Sequence, residues 1–315
     1  MSPNSAPITA NSPLAPIAIA NPRLATMQRR RAFLFHLISL LGCGVGIVQV
    51  YYYGWNALDL GLLIGFYFLI ILAGTVGFHR YLAHKTFQTS HPCKAILLIL
   101  ASMGGQGPPV NWVANHRRHH QYSDLSGDPH SPYVYGEREL SGFQGFYHAY
   151  LGWVFTGEIT NPSLFAKDLL SDRLVAWINR HYFTWILLGL MLPTLIAGMV
   201  TQTWSGALSG LLWGGVIRLF FSINYGHLIN SCQHLFGARP FPTKDHSTNN
   251  GWLALITGGE AWHNNHHAFP NSARFGLWWW QIDLGYALIQ LLAWLGIVWE
   301  VKCPSPEAIK ARQSP

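Results

Sequence analysis

The chain has 315 residues, 20 Lys and Arg against 13 Asp and Glu, a formal net charge of +7, and 10% charged beside 50% hydrophobic and 14% aromatic residues. An ordinary soluble domain carries about 25% charged residues, so this sequence lacks the charge to cover a soluble globule of its size and reads as a membrane protein. The basic excess points to a membrane-facing distribution rather than a nucleic-acid-binding patch, and Cys43, Cys93, Cys232 and Cys303, with no CxxC spacing, suggest neither a disulfide framework nor a thiolate metal site.

Residues 1–27, rich in Ala, Pro, Ser and Asn, cannot bury enough surface to order themselves and are expected to be a loose tail. One integral membrane domain is expected over 28–302, with 303–315 as a C-terminal tail. Within that domain four apolar blocks, at 32–53, 57–78, 182–200 and 206–225, are each long enough to cross a bilayer core of about 30 Å as a helix. They pair into two hairpins whose turns, 54–56 and 201–205, contain no Lys or Arg. Apart from Arg218, the basic residues lie before the first block, in 79–181 or in 227–315. The positive-inside rule places all three segments, and therefore both termini, on the cytoplasmic side. Arg218 falls inside the fourth block, where a charge is costly, and is expected to face protein or the cytoplasmic end. The apolar stretch 95–103 is too short to span and fits a re-entrant or surface helix. Residues 284–299, flanked by Trp278, Trp279, Trp280, Trp294 and Trp299, suit a helix lying on the membrane. The expected fold class is an all-α membrane protein: four transmembrane helices in two hairpins, with a cytoplasmic helical cap.

Sixteen histidines outnumber the 13 acidic residues, and neutral imidazole is the commonest metal ligand. Three clusters stand out: His79-Arg-Tyr-Leu-Ala-His84 after the second block, His116-Arg-Arg-His119-His120 in the middle segment, and His263-Asn-Asn-His266-His267 in the last. Positions i, i+3 and i+4 share a helix face, so each HxxHH can aim three imidazoles at one point. A five-residue separation leaves His79 and His84 about 140° apart on a regular helix, which predicts that this pair sits at a helix end or bend. Eight imidazoles exceed what one zinc takes and suit two metals; an all-nitrogen set fits iron, copper or zinc.

The three clusters resemble the histidine boxes of the membrane fatty acyl desaturases, most closely the stearoyl/acyl-CoA Δ9 branch. The resemblance runs from about Ala57 to Lys302 and includes Gly127-Asp128-Pro129-His130, Gly152-Trp153 and Asn230-Ser231-Cys232-Gln233-His234. It implies a di-iron centre on His79, His84, His116, His119, His120, His234, His263, His266 and His267, with Asn230 reaching one iron through a water. It also implies O2 as co-substrate and a substrate tunnel bent by Gln106 and Trp112. The family's polar residue four positions before the box Asn is Gly226 here, and a common His is replaced by Tyr150. His36, His91, His130, His148, His181, His227 and His246 match no family role and read as solvated or hydrogen-bonded residues.

Removing hydrogens from an unactivated methylene requires a metal-bound oxidant that no side-chain acid or base supplies. The protein's share is to orient each imidazole through the acceptor of its second N–H, for which Glu260, Asp124, Asp128 and Asp245 are candidates. The expected function is insertion of a cis double bond, Δ9 in a C16 or C18 acyl chain, using O2 and two electrons. The acyl group would ride on CoA, acyl carrier protein or a glycerolipid, and the electrons would come from a separate ferredoxin or cytochrome b5 type donor. Rival readings are a membrane hydroxylase with the same boxes and a histidine-rich metal transporter; the latter would hold its ligands near the bilayer midplane, whereas these clusters flank the apolar blocks.

Overall fold

The computed structural model describes residues 17–313. Four helices are long and apolar enough to cross a membrane: Pro22–Tyr53, Ala57–Ala83, Tyr182–Thr201 and Trp204–Leu235. Most of the expected loose tail, residues 1–16, lies outside the described residues. Its last part is ordered: Ala18–Ile19 pairs antiparallel with Ile159–Thr160, and the first helix begins at Pro22, capped by the Asn21 side chain accepting from the Leu24 amide. Asn before Pro is a strong helix start, and it places the first helix boundary ten residues before the apolar block begins. The first helix stops at Gly54, whose φ of 75° suits glycine. Asn56 starts the next by accepting from the Leu58 and Asp59 amides.

The last long helix packs against each of the other three. Against the first it makes a glycine seam: a Cβ on Gly42 would stand 2.4 Å from Val216 Cγ1, and one on Gly46 2.5 Å from Ile217 Cδ1. Small residues at i and i+4 allow this close approach between helices. Arg218 is fully buried, and its guanidinium donates to the carbonyls of Gly214, Met103 and Gly189. Three carbonyls offset the cost of burying the charge and tie the last helix to the third and to the end of the short apolar helix His91–Ser102. That helix is an interior element, since Leu97, Leu98 and Ala101 are buried. Leu284–Trp294 is too short to span; it buries Ile289 against Val76 and Phe87 and leaves Leu291 and Trp294 exposed.

The remaining segments carry the shorter helices, among them Pro109–Tyr122 and His263–Ala268. They are tied to the second long helix by a buried pair, Arg80 donating to Asp283 at 2.8 Å. The other Asp283 oxygen accepts from the Phe275 and Gly276 amides. A strand pair, Gln88–Thr89 with Val298–Trp299, closes the same edge.

Candidate metal centre

The second long helix changes from α to π hydrogen bonding over Gly74–Ala83. There the His84 amide donates to the His79 carbonyl at 3.1 Å, an i→i+5 bond that stacks residue i+5 over residue i. The five-residue gap therefore becomes one turn, and the two rings lie 5.0 Å apart between centroids. The pair does sit at a helix end, as expected, but the device that aligns it is the π turn.

His116, His119 and His120 come from the helix Pro109–Tyr122, and His263, His266 and His267 from the short helix His263–Ala268. His234 ends the last long helix. All nine histidines converge at one place as two groups: His79, His84, His116, His120 and His266, and beside it His119, His234, His263 and His267. Within each group the nearest ring nitrogens lie within 4.8 Å of one another. Nε2 atoms face each other at 2.7 Å for His84 and His116, 2.8 Å for His120 and His266, 3.0 Å for His79 and His266, and 3.1 Å for His234 and His263.

Four of these rings have their tautomer set by a carboxylate. His79 Nδ1 donates to Glu260, His234 Nδ1 to Asp124 at 2.9 Å, His119 Nδ1 to Asp128 at 3.0 Å, and His267 Nδ1 to Asp245 at 2.6 Å. With the proton on Nδ1, each Nε2 carries a bare lone pair. Two of those lone pairs, on His119 and His267, are buried without a hydrogen-bond partner. Buried polar atoms are normally satisfied, so orphaned imidazole nitrogens inside an all-imidazole cluster fit bound metal cations. These donors suit iron, copper or zinc and are poor for magnesium or calcium.

The electrostatics keep the site in ligand form. Burial, with the nearby His267 and Arg117 charges, holds His84 down at about 3. Burial and crowding by other imidazoles hold His116, His120, His263 and His266 well below the usual histidine range. Burial pushes Asp128 up, but His119 and His130 beside it bring it below the usual carboxylate range. Burial raises Glu260 to about 8 against the pull of Arg80, so without metal the group is largely protonated near neutral pH, and the carboxylate that holds the His79 proton forms as a cation binds and protons are released.

Gln106 and Trp112 meet: the Trp112 indole N–H donates to Gln106 Oε1 at 3.1 Å, and the Gln106 amide donates to the Ser222 carbonyl at 2.8 Å. Trp112 also stacks on His116, 5.1 Å between centroids and 14° between planes. Both residues, with Gly226 and Asn230, line a cavity that reaches His116, His119 and His263. A Cβ at Gly226 would come 3.3 Å from Gln106 Nε2, so the missing side chain leaves that corner to Gln106.

Three histidines set aside in the sequence pack against another histidine ring. His130 sits 4.5 Å from His119 between ring centroids, and its amide donates to Asp128. His36 and His227 stack on one another with Nε2 atoms 3.1 Å apart. The fragment Gly127-Asp128-Pro129-His130 signalled the first of these; nothing local signals a pair 191 residues apart.

A family model described as fatty acid desaturase matches residues 53–293. The chain belongs to the fatty acid desaturase family. It is 46% identical to a hex-5-enoyl-[acyl-carrier protein] acetylenase of Moorena producens over 297 residues, covering 94% of this chain and 92% of that protein. It is 33% identical to an sn-1 stearoyl-lipid 9-desaturase of Anabaena variabilis, covering 89% and 97%, and 31% identical to a protein of the same name from Synechocystis, covering 89% and 80%. This desaturase-family chain is thus an oxidoreductase of acyl chains, and its four apolar helices are long enough to span the membrane in which such chains reside.

Proposed function

We propose that the two imidazole groups hold two iron ions and that the enzyme inserts a cis Δ9 double bond into a saturated C16 or C18 acyl chain, consuming O2 and two electrons. The ligands in this reading are His79, His84, His116, His119, His120, His234, His263, His266 and His267, with Asn230 acting through a water. The observation that carries it is the pair of all-imidazole groups side by side on one cavity, with buried Nε2 lone pairs left unsatisfied. When bound, the irons supply the O2-derived oxidising power that methylene hydrogens require.

The chain's own residues do the rest. Glu260, Asp124, Asp128 and Asp245 hold protons on Nδ1, so that four rings present Nε2. Trp112 and Gln106 shape the cavity wall next to His116 and so fix which carbons come near the centre. Burial of most of the cluster limits the water that reaches it. The metal site and both termini face the cytoplasm in this reading, and a ferredoxin or cytochrome b5 type protein delivers the electrons.

The relatives' names include both acyl-carrier-protein and lipid substrates, so CoA, carrier protein and glycerolipid all remain in the substrate class. The 46% identity to an acetylenase favours a second reading, in which the chain already carries a double bond and a triple bond is made. Expression in a host poor in unsaturated lipids, once with saturated chains alone and once with enoyl chains supplied, and with double- and triple-bond mapping of each lipid and thioester class, decides between them. A C16 or C18 Δ9 alkene supports the first reading and an alkyne the second. An alcohol as the main product, or none with two irons bound, overturns both.

A further inference from the structure

The first long helix forms one wall of the metal cavity. Gln28, Arg31, Phe35 and His36, spaced at helical intervals on one face, line it together with His116 and His263. The same turns expose Phe33, Leu34 and Ile38 on the other side. In the apolar part of the chain such residues face lipid, so one helix thickness separates the cavity from the bilayer.

That wall is held unevenly. Ala18–Ile19 is anchored by its strand pair, and the Gly42 and Gly46 seam is in tight contact with the last helix. Between those anchors the hydrogen bonds are few, and the rings that meet the stretch do so at a distance, Phe35 with Phe183 at 6.5 Å and His36 with Phe155 at 6.3 Å between centroids. The Gln28 amide donates to the Val154 carbonyl at 3.5 Å, and Arg31 lies 5.8 Å from the Tyr182 ring centre. His36 Nδ1 donates to the Ala32 carbonyl, so its Nε2 accepts from His227 Nε2–H at 3.1 Å. The exposed Arg29 and Arg30 stand at this end of the helix, where basic side chains meet lipid phosphates.

We infer that residues 28–36 form a lateral portal: this stretch of the first helix moves outward between its two anchors to admit an acyl chain from the bilayer, and the His36–His227 and Gln28–Val154 hydrogen bonds latch it shut. The inference rests on the acyl-chain reading above and names the bilayer as the source of the chain.

The test uses the iron-loaded protein in phosphatidylcholine vesicles and a nitroxide-labelled stearoyl chain, whose immobilised fraction is read by electron paramagnetic resonance without turnover. Gln28→Cys with Val154→Cys, in a background with the four native cysteines replaced, is joined by a short reducible bis-thiol reagent. Joining before the chain is added should cut the immobilised fraction at least about tenfold, joining afterwards should trap it, and reduction should reverse both. Equal fractions in either order overturn the portal. In the native background His36→Leu should speed immobilisation about fivefold, the effect of losing one neutral hydrogen bond, with two irons retained; an unchanged or slower rate overturns the latch. If turnover is absent while the order-of-addition effect persists, the desaturase reading fails and the portal stands.

Discussion

At the residue scale, the centre depends on proton placement as much as on ligand identity. Asp128→Asn leaves a group of similar size beside His119 but can offer its amide N–H to Nδ1, which favours the tautomer with the proton on Nε2. Metal affinity should fall about 10- to 100-fold, measured as the rate of iron loss to a chelator, with the fold intact by circular dichroism. His119→Ala and His266→Ala each remove a ring from a different group; product formation should vanish in both while the protein stays in the membrane. The exposed His91 is the control, and His91→Ala should leave iron content and rate unchanged. Acid should act through the same rings. His84 titrates near 6.5 when unfolded and at about 3 when folded, so the unfolded chain takes up protons that the folded one refuses. Stability from this ring is complete above pH 6.5 and declines as pH falls toward 3. Glu260, raised from 4.5 to about 8, acts in the opposite sense, because burying its charged form costs stability above pH 4.5. Thermal melts of the metal-free protein from pH 4 to 7, compared with Glu260→Gln, separate the two.

At the element scale, the histidine spacing made two of the three clusters legible, because i, i+3 and i+4 on an α-helix point one way whatever the surroundings. The His79 and His84 pair was legible only as a problem, since no local signal announces the π turn over Gly74–Ala83. The start of the first helix was misplaced for a different reason. Hydropathy sees only the apolar core of a helix, whereas Asn21 and Pro22 set its chemical boundary. The glycine seam gives a direct test of helix packing. Gly42→Leu must displace Val216 or separate the helices, and overpacking of this kind costs about 1–3 kcal/mol. The melting temperature in detergent should drop, while Gly44→Leu, where a Cβ meets nothing within 4 Å, should leave it nearly unchanged.

At the scale of the whole molecule, the C-terminal segments are joined to the second long helix through charges as well as apolar contact. Arg80 is fully buried and pairs with Asp283, which also holds the Phe275 and Gly276 amides. Removing one partner of a buried pair strands the other, at about 3–5 kcal/mol. Asp283→Ala should therefore loosen residues 275–290, seen as new protease cleavage there and as faster iron release, since Arg80 adjoins Glu260 and His79. None of this pairing was visible in the sequence, where Arg80 and Asp283 stand 203 positions apart.

The nine imidazoles are contributed by segments 79–84, 116–120, 234 and 263–267, so neither group is complete until the last of these has been synthesised. His266 belongs to one group and His263 and His267 to the other, and both groups therefore wait for the same six-residue helix. During biogenesis the earlier histidines leave the ribosome long before their partners, and a chain interrupted before His263 offers only incomplete sets. If the two groups hold iron as proposed, metal loading reports that the polypeptide has been made at least through His267 and folded back on itself, and a cell short of iron would accumulate chains arrested at this step.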